Sequence, residues 1–158
     1  MQKFPPLSLY VHIPWCVQKC PYCDFNSHAQ KGAIPEQEYV QHLIADLEAD
    51  LKKYQTSIQN RPLHSIFIGG GTPSLFSAKS IKLLLAEIKR RIPFSENIEI
   101  TMEANPGTVD REKLAVLGDG GVNRLSFGVQ AAHDNELRRI GRIHDFAKAK
   151  NAVLLAHE

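Results

Sequence analysis

Cysteine is nearly missing from this 158-residue chain: outside Cys16-Val17-Gln18-Lys19-Cys20-Pro21-Tyr22-Cys23 there is none. An odd number of cysteines so closely spaced argues against a disulfide framework. An excess of one charge is missing too. The 19 basic and 17 acidic residues are interspersed for a net +2, so there is no basic stripe and nucleic acid is not an expected partner. The longest apolar run, Ala152 to Ala156, falls far short of the roughly 18 residues of a membrane span, so no transmembrane segment is expected. Met1 to Ser8 carries Lys3, Pro5 and Pro6 where a secretion signal needs an unbroken apolar region, so no such signal is expected either. These absences together predict a reducing cytoplasmic setting. No linker, low-complexity tract or charge block divides the chain, and 43% hydrophobic residues can supply the core of one domain.

What is present alternates in period. Leu7 to Ile13 is rich in apolar and β-branched residues and stops at Pro14, which predicts a strand running into the cysteines. After Pro35, the residues Tyr39, Val40, Leu43, Ile44, Leu47 and Leu51 recur at helical spacing. A second strand, His64 to Ile68, meets Gly69-Gly70-Gly71-Thr72-Pro73, and Ile81, Leu84, Leu85 and Ile88 mark a helix behind Ser77 as cap. A third strand, Ile98 to Met102, runs into Glu103-Ala104-Asn105-Pro106-Gly107, followed by a helix from Asp110 that turns Leu114 and Leu117 inward. The fourth, Asn123 to Phe127, runs into Gly128-Val129-Gln130, and helices near Asp134 to Ile140 and Phe146 to Ala156 follow. Such alternation predicts an α/β fold with a parallel sheet, either open and doubly wound or part of a barrel. In both, ligands sit at the carboxyl ends of the strands, and every unusual motif here follows a strand.

Three thiolates of this spacing suit an iron–sulfur cluster with one iron left open, since a cubane ordinarily takes four. Zinc competes, because His12 or His28 could complete a tetrahedral site. The glycine run would let backbone approach a ligand, although a tight turn explains it as well. It lacks the endings of a Walker loop or a dinucleotide fingerprint. Glu103 emerges from an apolar strand, where it needs a cationic or hydroxyl partner, a structural salt bridge being the plain alternative. Gln130 and Arg142 carry no signal by composition. Trp15 could shield a cluster or simply pack in the core. His42, His64, His133, His144 and His157 are placed at surface or helix positions.

Taken in order, Tyr10-Val11-His12-Ile13-Pro14-Trp15-Cys16-x3-Cys20-x-Tyr22-Cys23, the Gly-Gly-Gly-Thr-Pro run, Glu103-Ala104-Asn105-Pro106 and Gly128-Val129-Gln130 resemble the radical S-adenosylmethionine (SAM) superfamily. More narrowly they resemble its branch of oxygen-independent coproporphyrinogen III oxidases, of the HemN type, and HemW heme chaperones. The resemblance implies a [4Fe-4S] cluster on Cys16, Cys20 and Cys23, with SAM on the fourth iron, where it can accept an electron and yield a deoxyadenosyl radical. Tyr10, Gly70 and Glu103 would contact that SAM. Tyr22, Gly71, Thr72, Gln130 and Arg142 fall where the oxidases bind a second SAM. The oxidases carry a fourth cysteine two residues after the third, and Phe25 stands there in this chain. They also have an extension before the first strand. Both departures are similar to the chaperones, so a HemW-like heme chaperone is expected ahead of an oxidase, with a zinc-binding α/β domain as a third reading.

Expected partners are a heme or porphyrin, heme-accepting proteins and a second copy of the chain in a homodimer. Members of this branch are more than twice as long, so residues 1–158 are expected to be the N-terminal part of a radical SAM core, an incomplete TIM-like barrel with an exposed apolar edge. Heme, as cargo, is expected to need a further C-terminal region.

Overall fold

The computed structural model describes residues 4–158; the first three residues of the N-terminal stretch considered for a targeting signal lie outside them. The chain runs β1 (Leu7–Ile13), β2 (Trp15–Cys16), β3 (His28–Ala29), α1 (Glu36–Lys53), α2 (Gln55–Ile58) and β4 (Leu63–Gly70). It continues through α3 (Ala78–Arg91), β5 (Phe94–Ala104), α4 (Arg111–Asp119), β6 (Arg124–Phe127), α5 (Asp134–Arg139) and α6 (Phe146–Ala156). Among the described residues no helix is long and apolar enough to cross a membrane.

The four long strands form a parallel sheet in the order β1-β4-β5-β6, and β2 pairs with β3 in a separate parallel ribbon. Each new strand joins the same edge, with no reversal of order. A doubly wound sheet would require a reversal and helices on both faces, so of the two architectures open to the sequence this is the barrel type. Alternation along the strands explains the layering. Val11, Ile13, Ile66, Ile68, Ile100 and Met102 form one core with Val40 and Ile44 of α1, Ile81, Leu84, Leu85 and Ile88 of α3, and Leu117 of α4. Burial of each large apolar side chain there stabilises the fold by about 1.5–3 kcal/mol relative to exposure.

The intervening strand residues point to the opposite, concave face. In register across it lie Ser8 and Ser65, whose hydroxyls are 2.8 Å apart, and then Tyr10, Phe67, Thr101 and Arg124. This inner face is polar or aromatic. Expected helix starts are realised by side-chain caps: Ser77 accepts from the Ser80 amide at 3.2 Å, and Asp110 from that of Lys113 at 2.8 Å. β4 and β5 are longer than their apolar stretches predict, because backbone pairing continues past the side chains that signal a strand. The apolar exposure expected at the barrel's edge takes the form of a groove beside β6, lined by Leu114, Leu125, Phe127, Val153 and Leu155.

Candidate functional site

The carboxyl ends of β1, β4, β5 and β6 open into one cavity of about 360 Å³. Cys16, Cys20 and Cys23 line it from the loop after β1, Gly70, Gly71 and Thr72 from the end of β4, Glu103 from β5, and Gln130 and Arg142 from the segments after β6 and α5. Tyr22 and Phe25 stand at its exposed rim. Ten of the eleven residues singled out by sequence therefore meet in one place. Tyr10 does not line the cavity. It lies below on the concave face, 57% exposed, its ring stacked with Phe67 at 6.3 Å between centroids.

The cysteine loop is tied down on both sides. The Gly71 amide donates to the Ile13 carbonyl at 2.8 Å and the Thr72 amide to Trp15 at 2.7 Å, so the glycine run extends the pairing of β1 and β4 beyond the sheet. A Cβ on Gly71 would come within 2.6 Å of the Pro14 carbonyl oxygen, so the close approach requires glycine. Thr72 Oγ1 lies 3.5 Å from Cys16 Sγ. Lys19 Nζ donates to the Phe25 carbonyl at 3.0 Å and caps the turn from within. Behind the loop, Trp15 packs edge-on against Tyr39 at 4.6 Å and beside the fully buried Phe76 at 5.6 Å. Trp15 is thus a core anchor for Cys16.

His12 links this loop to the concave face. Its Nε2 is 2.8 Å from the Asn26 carbonyl, which can only accept, so that nitrogen carries the proton and Nδ1 accepts from the Tyr10 hydroxyl at 2.9 Å. Both ring nitrogens are occupied and neither is available to a metal. His28 is exposed on β3. Among the described residues no three His, Cys, Asp or Glu side chains converge on a single ion.

Glu103 accepts from the Gly70 amide at 3.0 Å, so its partner is backbone from β4, not the salt bridge that was the plain alternative. Gly70 has φ +117°, a conformation side chains rarely adopt. Across the cavity Arg142 reaches three residues on two segments: Nη1 lies 3.6 Å from Cys20 Sγ and 3.4 Å from the Tyr22 hydroxyl, and Nη2 donates to the Gly128 carbonyl. Its Nε is buried with no hydrogen-bond partner among the described residues. Burial pushes the Tyr22 hydroxyl up, the Cys20 thiol acts in the same direction, and Arg142 opposes both. Burial also raises Tyr10, with the Glu103 carboxylate adding to it.

Sequence reasoning missed several members. Ser126 lines the cavity directly in register with Glu103. Gln18 Nε2 donates to the Gly141 carbonyl at 2.7 Å and closes the cysteine loop onto the Arg142 segment. Ser74, fully buried, accepts from the Asn105 amide at 3.1 Å and joins the loops after β4 and β5. One placement is corrected: His144, read as a surface position, is 4% exposed. The helix α6 begins after it, and its ring turns inward to the Val129 carbonyl. Nothing in its local pattern distinguishes it from the exposed His133 or His157.

Comparison with known proteins places this geometry. The family model described as the radical SAM superfamily matches residues 10–158. The chain is 65% identical over 156 residues to the heme chaperone HemW of Haemophilus influenzae, spanning 99% of this chain and 41% of that protein. To the heme chaperone HemW of Escherichia coli (strain K12) it is 54% identical, spanning 99% and 40%. The solved coproporphyrinogen III oxidase (HemN) of Escherichia coli, described as a radical SAM enzyme, superposes with a TM-score of 0.78 at 28% identity, over 96% of this chain and 34% of that one. The chain thus spans about two fifths of the length of these curated relatives.

Proposed function

The chain belongs to the radical SAM superfamily, and on that premise we propose that it is the cluster- and SAM-binding part of a HemW-like heme chaperone. The observation that carries the proposal is the single cavity in which the three cysteines face Glu103, the Gly70–Thr72 backbone, Gln130 and Arg142.

The donor set fits the two cofactors the family implies. Three thiols on one loop that line one cavity suit a [4Fe-4S] cluster, whose irons each take a separate thiolate. Zinc would need a fourth donor, and both ring nitrogens of His12 are already bonded. When bound, cluster and SAM together supply one-electron reductive cleavage of a sulfonium. The protein's part is binding and orientation. Cys16, Cys20 and Cys23 would hold the iron. Gly70 and Gly71 leave backbone open to a ligand, and the Glu103 carboxylate, which lines the same cavity, would accept from the SAM amino group. Arg142 sets positive charge beside the cluster thiolates, and its unpartnered Nε is a donor in reserve. Tyr22, Thr72 and Gln130 complete the wall against a second SAM. Tyr10 would act from below, through His12.

Phe25 at the position of the oxidases' fourth cysteine supports the chaperone reading over the enzyme one, as do the names of the relatives. Heme is the cargo and heme-accepting proteins are the partners. The free thiols suit a reducing cytoplasm. The test is to load the protein with cluster and SAM and supply coproporphyrinogen III. SAM should bind without coupled decarboxylation; formation of protoporphyrinogen would replace the chaperone by the oxidase.

A further inference from the structure

We propose that His144 is a positioning residue that pins the Val129 carbonyl and so fixes Gln130 in the backbone conformation that presents it to the cavity. Gln130 has φ +73°, an uncommon left-handed state for a residue with a Cβ. Such a state persists when its surroundings over-determine it. The angle is set by the orientation of the Val129–Gln130 peptide, and His144 Nε2 lies 3.2 Å from that peptide's oxygen. A carbonyl only accepts, so Nε2 carries the proton. Nδ1 is left as a buried acceptor without a partner among the described residues. A buried imidazole that spends one nitrogen and satisfies only the other is costly unless that one contact matters.

The neighbouring contacts form a pattern. Arg142 Nη2 holds the Gly128 carbonyl and His144, two residues on, holds the next one. Gly128 leaves room for this clamp: a Cβ there would lie 3.1 Å from Arg142 Nη2 and 3.3 Å from Gln130 Nε2. On the strand side, the Gly128 amide donates to the Ala104 carbonyl at 3.1 Å. The segment is therefore fixed from both sides, and His144 supplies the restraint nearest Gln130. Burial, with the Arg142 charge adding to it, holds His144 below the usual histidine range.

This inference rests on the proposed role of Gln130 and Arg142 toward SAM, and its test separates the two. His144→Leu removes the donor at similar bulk, while His144→Gln keeps an amide N–H at similar reach. In cofactor-free protein, amide hydrogen exchange over 128–131 should quicken about tenfold in His144→Leu and stay near wild type in His144→Gln. In cluster-loaded protein, the SAM dissociation constant should rise about 2- to 10-fold in His144→Leu, the value of one hydrogen bond, and stay within about twofold in His144→Gln. Unchanged exchange in His144→Leu overturns the proposal. So does equal acceleration throughout the protein, or a loosened segment with unchanged SAM affinity. Wild-type protein that takes up cluster but no SAM would refute the functional reading instead, while the exchange comparison still decides what His144 holds.

Discussion

Replacing Gly70 with alanine should destabilise the protein by between about 2 and about 6 kcal/mol, for two separable reasons. The first is backbone: φ at Gly70 is +117°, and forcing a residue with a Cβ into such a region costs on the order of 1–3 kcal/mol. The second is contact. An alanine Cβ would lie 2.6 Å from Cε1 and 2.7 Å from Nδ1 of His12, and a rigid ring cannot yield by bending. If the ring moves, its bonds to Tyr10 and to the Asn26 carbonyl are lost, at about 0.5–1.5 kcal/mol each. Urea unfolding of wild type, Gly70→Ala, His12→Ala and the double variant isolates the two parts. In the His12→Ala background the alanine should cost about 1–3 kcal/mol less, leaving the backbone share. A Gly70→Ala protein within about 0.5 kcal/mol of wild type, or an equal cost in both backgrounds, would refute the reasoning.

Cys20→Ala should abolish cluster assembly; retained iron and sulfide after reconstitution would remove Cys20 from the ligand set. Glu103→Ala should weaken SAM binding about 10-fold or more, the loss of a charge-assisted bond, with iron content unchanged; loss of the cluster as well would assign Glu103 to the fold. Because His144 titrates below the usual 6.5, the unfolded chain takes up its proton first, so this residue's contribution is full above about pH 6.5 and declines as pH falls toward the folded value. Burial, Arg142 and Lys148 oppose its charge, and Asp145 and the Val129 contact favour it. The stability of wild type relative to His144→Gln should therefore fall from pH 7 to pH 5 in denaturant titrations, and a relative stability that rises would reverse the assigned shift.

The fold was legible because each strand of the main sheet announces itself twice, by apolar residues and by the motif that follows, whereas the two-residue strands β2 and β3 are too short to carry a pattern. Leu7 to Ile13 is the observed β1, and Phe146 to Ala156 the observed α6. What the sequence could not decide was open sheet or barrel, since alternation is the same in both and only strand order separates them. The cavity was legible for the same reason: parallel strands bring their carboxyl ends together wherever the motifs lie in sequence. Its supporting contacts were not. Lys19, Gln18 and Ser74 act on backbone carbonyls and amides across long separations, which leaves no local pattern. His144 was misplaced because burial there depends on the chain turning inward before α6, and a short connection carries no periodicity to read.

The most direct test is to purify the protein without oxygen, reconstitute it with iron and sulfide, and record its absorption and metal content with and without SAM. A brown protein holding about four irons per chain, with a cluster signal altered by SAM, is the predicted result. A colourless protein holding zinc alone would contradict the account at its centre.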